Sequence, residues 1–132
     1  MLDENKIYLS KHRLASAKES LEEGQLLLES QKYKGANNRA YYAIFHSMRA
    51  ILALDGFDSK KHSGVIAKFN ENYVKSQIFE IDYGKIVKNA SVIRNNSDYD
   101  DFFIATKEQA ENQIKDAKKF ILATEKYLEK CF

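Results

Sequence analysis

Proline and tryptophan are absent from this chain of 132 residues, which has five glycines and one cysteine. Without proline nothing forces a break in a long helix, and isolated glycines do not build the repeated tight turns of an all-β domain. The single Cys131 has no partner, which excludes an internal disulfide and a cysteine zinc cluster and suits a reducing cytoplasm. The longest apolar run, Ala40 to Phe45, falls far short of the roughly 18 to 20 residues that span a bilayer. The start MLDENKIYLS lacks the basic and apolar stretches of a signal peptide, so a cytoplasmic protein without a membrane segment is expected. With 21 basic and 19 acidic side chains the formal net charge is only +2, so any nucleic-acid surface has to be local. A glycine-rich phosphate loop and a G-x-S-x-G elbow are missing, which removes the common NTPase and hydrolase templates.

Metal chemistry has little to stand on. His12, His46 and His62 lie far apart without the i, i+4 pairing of helical zinc sites, and Asp98, Asp100 and Asp101 read as a solvated or Arg/Lys-paired acidic run. No metal and no other cofactor is expected.

What the chain does have is abundant Lys, Glu, Leu and Ala in 3.6-residue patterns, which predicts a single all-α domain over residues 1–132. Leu14, Ala17, Leu21 and Leu28 stripe a first helix over about 6–31, where Gly24 is either a close-packing point or a tolerated glycine. Gly35, Asn37 and Asn38 are read as a break or cap before a second helix over about 36–55, ended by Asp55-Gly56. A third, about 62–76, carries Val65, Ile66, Phe69 and Tyr73, and a fourth, about 83–97, carries Ile86, Ala90 and Ile93 with Val87 and Arg94 at the edge. Thr106 and Gln109 form a capping-box pattern before a fifth helix striped by Ala110, Ile114, Ala117, Ile121 and Leu128. These lengths suit an antiparallel up-and-down four-helix bundle with an additional short helix.

Two stretches stand out chemically. In the second helix Tyr41, Ile44, Phe45, Met48, Ile51 and Leu52 take one side while Arg39, Tyr42, Ala43, His46, Ala50 and Ala53 take the other, and neither side is freely solvated. That predicts a helix buried twice, the second time against a partner or ligand. Arg39, Tyr42 and His46 at i, i+3 and i+7 point the same way, a cation, a phenol and an imidazole suited to a phosphate and a proton, or else a set of ordinary satisfied polar residues. The other stretch, NNSDYDDFF, is acidic and aromatic and is read as the link between the fourth and fifth helices.

Three ordered blocks, AYYAIFHSMRAIL, KKHSGVIAKFNENYV and SVIRNNSDYDDF, together resemble the HEPN domain in its small stand-alone prokaryotic branch, with a YYA-x-FH helix, an H-x-G-V-I-x-x-F helix and an R-x-x-x-D-Y segment. The resemblance implies a helical bundle that forms a homodimer and works beside a minimal nucleotidyltransferase. Many HEPN proteins are metal-independent ribonuclease toxins whose motif is an arginine, four to six spacer residues and a histidine. Arg94 matches the arginine, but the histidine positions hold Tyr99, Asp100 and Asp101. RNA cleavage through the 2′-hydroxyl needs a base, an acid and a cation; Arg94 supplies the cation, and His46 or His62 has to supply the imidazole. Nucleotide or RNA binding through Arg39, Tyr42, His62, Asp98 and Tyr99 therefore survives the missing histidine better than catalysis by Arg94 and His46 does. Related partner enzymes attach AMP to a tyrosine beside the motif, which makes Tyr99 the expected modification acceptor; the alternative is that Tyr99 packs with Phe102 and Phe103 at the bundle end. Three readings stay open: a HEPN component of a two-component toxin–antitoxin or defence module binding nucleotide or RNA in a dimer cleft, an active ribonuclease with a substitute histidine, and a helical interaction module without nucleotide chemistry.

Overall fold

The computed structural model describes residues 3–132. Its elements are α1 (Glu4–Glu29), α2 (Tyr33–Leu54), α3 (His62–Phe69) running on into a π-helical turn (Asn70–Val74), α4 (Ile81–Tyr99) and α5 (Lys107–Cys131). The protein is an all-α bundle. Among the described residues no helix is long and apolar enough to cross a membrane.

α2 is the central element, packed against α1, α5, α4 and α3. Its contact with α1 is made of small residues on both sides. Ser10, Ala17, Ser20 and Gly24 are buried on α1, and Ala36, Ala40, Ala43, Ser47 and Ala50 are buried on α2. The Ser10 hydroxyl donates to the Ala50 carbonyl at 2.7 Å, possible only because the backbones approach closely. Gly24 is a close-packing point, since a Cβ there would stand 2.8 Å from Ile114 Cδ1 and 3.1 Å from Arg39 Cβ. The Ala43 and Ala50 part of that face is therefore covered by α1 of the same chain, which corrects the expectation that a partner covers it, while Arg39, Tyr42 and His46 at its edge stay half-buried. The other face carries Tyr41, Ile44, Met48, Ile51 and Leu52 into one apolar core with Val65, Phe69, Val87, Phe120 and Leu128.

Other sequence boundaries shift for identifiable reasons. The turn between α1 and α2 is made by Ser30 and Gln31, the latter at φ 63°, so Gly35, Asn37 and Asn38 lie inside α2 instead of breaking the chain before it. Gly35 faces Leu27, whose Cδ1 would be 3.1 Å from a Cβ, and the Asn37 amide donates to Gln109 Oε1 at 2.9 Å. That bond also takes the Gln109 side chain that a full capping box would use, while Thr106 Oγ1 still accepts from the Gln109 N–H at 3.1 Å. α4 runs on through Tyr99, because nothing between Arg94 and Tyr99 stops a helix, so half of the NNSDYDDFF stretch is helical. In the third helix the ladder changes register at Asn70, whose carbonyl accepts from the Lys75 N–H at 2.9 Å in an i to i+5 bond.

Candidate functional site

Four arginines occur in the chain, and the fold gathers all four around His46 and His62. α2 presents Arg39, Tyr42, His46 and Arg49 along one helical edge, spaced so that each follows the last by one turn. α4 brings Arg94 to the same place from its own flank, α3 opens with His62, and Arg13 reaches across from α1.

Aromatic rings hold the basic groups in position. The Arg94 guanidinium stands 5.0 Å from the Tyr41 ring centre and 5.8 Å from that of Tyr42, and Arg39 stands 5.5 Å from Tyr42. Each is a cation–π contact that orients the guanidinium without consuming its N–H donors. His62 stacks on Phe45 with ring centres 4.1 Å apart and planes tilted by 26°.

Three carboxylates tie the arginines down. Asp58 accepts from Arg13 Nη2 at 3.1 Å and lies 3.4 Å from Arg49 Nη2. Asp98 Oδ2 lies 3.4 Å from Arg94 Nε on the same face of α4, and Glu23 Oε1 lies 3.5 Å from Arg39 Nη1. Four guanidiniums against three carboxylates leave one positive charge in excess. The Nε atoms of Arg49 and Arg94 are buried without a hydrogen-bond partner, so neither guanidinium is saturated.

His62 has a defined tautomer. Tyr41 Oη lies 2.8 Å from His62 Nδ1, and Arg94 Nη1 lies 3.4 Å from the same nitrogen. A guanidinium can only donate, so Nδ1 is the acceptor and the proton of the neutral ring sits on Nε2. Burial, followed by the charges of Arg94 and Arg49, lowers the His62 pKa below 6.5. Burial also lowers the pKa of His46, helped by Arg49, Arg13, Arg39 and then His62. Burial pushes the Tyr41 hydroxyl up to about 12, against the opposing charge of Arg94, so it stays a protonated donor at neutral pH.

The site residues expected from sequence thus fall into one cluster with one outlier. Arg39, Tyr42, His46, His62, Arg94 and Asp98 converge. Within it His62 is the imidazole that touches Arg94, whereas His46 lies against Tyr42 and Phe45, with ring centres 6.0 and 6.1 Å away. Tyr99 ends α4 beyond the cluster and is 82% exposed, as Phe102 is at 91%, so Tyr99 does not pack into the bundle end. Sequence reasoning missed Tyr41, Phe45, Arg49 and Arg13. Arg49 was within reach of the same spacing argument, one turn after His46; Arg13 was not, because only tertiary packing brings it to Asp58.

A family model described as HEPN domain matches residues 10–127. The chain belongs to the HEPN domain family. A UPF0332 protein of Thermotoga maritima is 34% identical over 113 residues, 86% of each chain. Two proteins of Methanocaldococcus jannaschii, both bearing the name "Putative toxin", are 38% identical over 105 residues and 31% identical over 115 residues. The first alignment covers 80% of this chain and 78% of that protein, the second 87% and 78%. In this HEPN domain Arg94, which resembles the motif arginine in its sequence setting, is held against an imidazole from α3, while Tyr99 ends α4 and Asp100 and Asp101 lie just beyond it.

Proposed function

We propose that this HEPN protein is a component of a toxin-type two-component module and binds the phosphate of a nucleotide or RNA at the Arg94–His62 cluster. The observation that carries the reading is the convergence of all four arginines on two histidines held neutral, with only three carboxylates standing against the four cations. An oxyanion entering there meets fixed, charge-assisted donors, and its own charge draws protons onto His46 and His62. Asp98 and Asp58 act as holders of the cations, which keeps the cluster ordered before any ligand arrives. The names of the two Methanocaldococcus relatives support the toxin-type assignment.

The finer parts of the reading are a homodimer, in which two copies of Arg94 line one cleft, and a minimal nucleotidyltransferase partner. Support for an association comes from Tyr99, Phe102 and Ile104, which stand 82%, 91% and 80% exposed beside the Arg94 end of α4. Tyr99 is the acceptor for the partner's AMP: its phenol oxygen attacks the α-phosphate of ATP, pyrophosphate leaves, and the phenol proton is released. The added phosphodiester places a negative charge near Arg94 and closes the site. Incubating the protein with a genomic-neighbour nucleotidyltransferase, ATP and magnesium, then weighing intact wild type and Tyr99→Phe, tests this part; one AMP on wild type alone is expected, and equal addition to both removes Tyr99.

A second reading, an active ribonuclease, is favoured by one observation. His62 sits beside Arg94 with a defined tautomer, and so occupies the role of the missing motif histidine better than His46. Chelator-resistant RNA cleavage by wild type that disappears in His62→Ala establishes it, and absence of cleavage leaves the binding reading alone.

A further inference from the structure

We propose that the groove between α3 and α4 is a nucleobase pocket, which seats the base attached to the phosphate bound at Arg94. The inference rests on the phosphate-binding reading and adds to it the part of the ligand that decides affinity. The small cavity at Arg94, about 180 Å³, is bounded by Tyr41, His62 and Arg94 and shares Ser63, Ile66, Ser91 and Asn95 with a larger groove of about 600 Å³. The two therefore adjoin along α3 and α4. The larger part has the size of a small-molecule site, which runs to about 300–1,000 Å³.

Its chemistry suits a flat ring with a polar edge. Ile66, Ala67, Ile81 and Val92 supply apolar walls, and Ile81 and Val92 are 68% and 48% exposed, apolar surface that nothing among the described residues covers. Ile66, packed against the core, also lines both cavities. Gly84 lets α4 approach the π-helical turn, since a Cβ there would lie 3.2 Å from Val74 Cγ1. The turn begins at Asn70, which lines the groove. At the rim stand Lys88 and Lys85, six and nine residues before Arg94, or about 9 and 13.5 Å back along α4 by helical rise. A strand entering from Arg94 therefore meets further cations as it follows the groove. Apolar walls with cations at one end and along the rim match a nucleotide; an apolar peptide would leave the cations unused.

Titration calorimetry of the full chain with adenosine 5′-monophosphate and with ribose 5-phosphate separates the base from the phosphate. Wild type is expected to bind the nucleotide about tenfold more tightly than the sugar phosphate, the effect of one stacked and walled base, about 1.4 kcal/mol. Ala67→Leu fills the groove from an exposed position and Ile81→Ala removes an exposed wall, so neither touches the core. Both are expected to bring the ratio to within about threefold, by the same conversion, while ribose 5-phosphate affinity stays unchanged. A wild-type ratio near unity, or a ratio untouched by both variants, overturns the base pocket. A change of oligomeric state in sedimentation, in place of a change in the ratio, also overturns it and assigns the groove to a second copy of the chain. Failure of the underlying phosphate reading looks different: neither probe binds wild type, or Arg94→Ala binds both as wild type does.

Discussion

Replacing Tyr41 by phenylalanine removes one atom from the site and tests the tautomer on which its chemistry depends. The ring remains, so its stacking on Phe45 and His62, at centroid distances of 5.9 and 5.8 Å, and the Arg94 cation 5.0 Å above it persist. What is lost is the 2.8 Å hydrogen bond to His62 Nδ1. A neutral hydrogen bond contributes about 1 kcal/mol net, and no buried acceptor is stranded because Nδ1 keeps Arg94 Nη1 at 3.4 Å. In a domain of this size 1 kcal/mol lowers Tm by about 3–5 °C. The bond also favours the neutral ring, because a protonated Nδ1 accepts nothing, so its loss moves the His62 pKa upward toward the ordinary 6.5. Thermal unfolding and nitrogen-15 NMR titration of the histidines measure both effects. In wild type at pH 7.5 the nitrogen shifts should report a neutral ring protonated on Nε2. A proton on Nδ1, or a Tyr41→Phe variant with unchanged Tm and unchanged His62 titration, would refute the arrangement.

Other outcomes follow from the same structure. Gly24→Ala gains about 1 kcal/mol of helix propensity and meets an overpacking cost of about 1–3 kcal/mol against Ile114 and Arg39; chemical denaturation should show a net loss of up to about 2 kcal/mol, and a more stable variant would mean that the α1–α2 seam yields freely. His46 and His62 have folded pKa values below 6.5, so the unfolded chain takes up protons first. The stability that the neutral rings contribute is complete above that pH and declines as pH falls through it, which denaturation at pH 7.5 and 5.5 should reveal and a His46→Gln, His62→Gln double variant should flatten. Anion binding runs the other way: affinity for a phosphate ligand should rise from pH 7.5 to 5.5, with proton uptake measurable by calorimetry in buffers of different ionisation enthalpy. Sedimentation at micromolar concentration should give about twice 15.3 kDa, and Phe102→Asp should shift it toward monomer; a monomeric wild type would remove the shared cleft.

Much of the fold was legible because long helices carry their own signal. The core stripes of α5 and α4 appear where periodicity puts them, and Asp55-Gly56 ends α2 with Gly56 at φ 71°. The failures share a cause. Gly35 and the two asparagines looked like a break, but glycine also marks close helix approach, and only tertiary packing tells the two apart. The small face of α2 looked like an interface for a partner because the complementary small stripe of α1, Ser10, Ala17, Ser20 and Gly24, is too polar to register as apolar periodicity. Of the site, Arg39, Tyr42 and His46 were legible as neighbours on one helix, and Arg94 and His62 through the motif they resemble. Tyr41 was read as core, which its ring is; that its hydroxyl reaches His62 depends on where α3 begins.

At the centre of the proposed function stands binding of nucleic-acid phosphates by Arg94 and the cations around it. Fluorescence anisotropy with a labelled single-stranded RNA, at two salt concentrations, on wild type and Arg94→Ala tests it most directly, with circular dichroism to establish that the variant is folded. Loss of a charge-assisted contact predicts affinity lowered about tenfold or more and a salt dependence shallower by about 0.7 in log–log slope. A folded Arg94→Ala protein that binds the RNA with wild-type affinity and wild-type salt dependence would contradict the account.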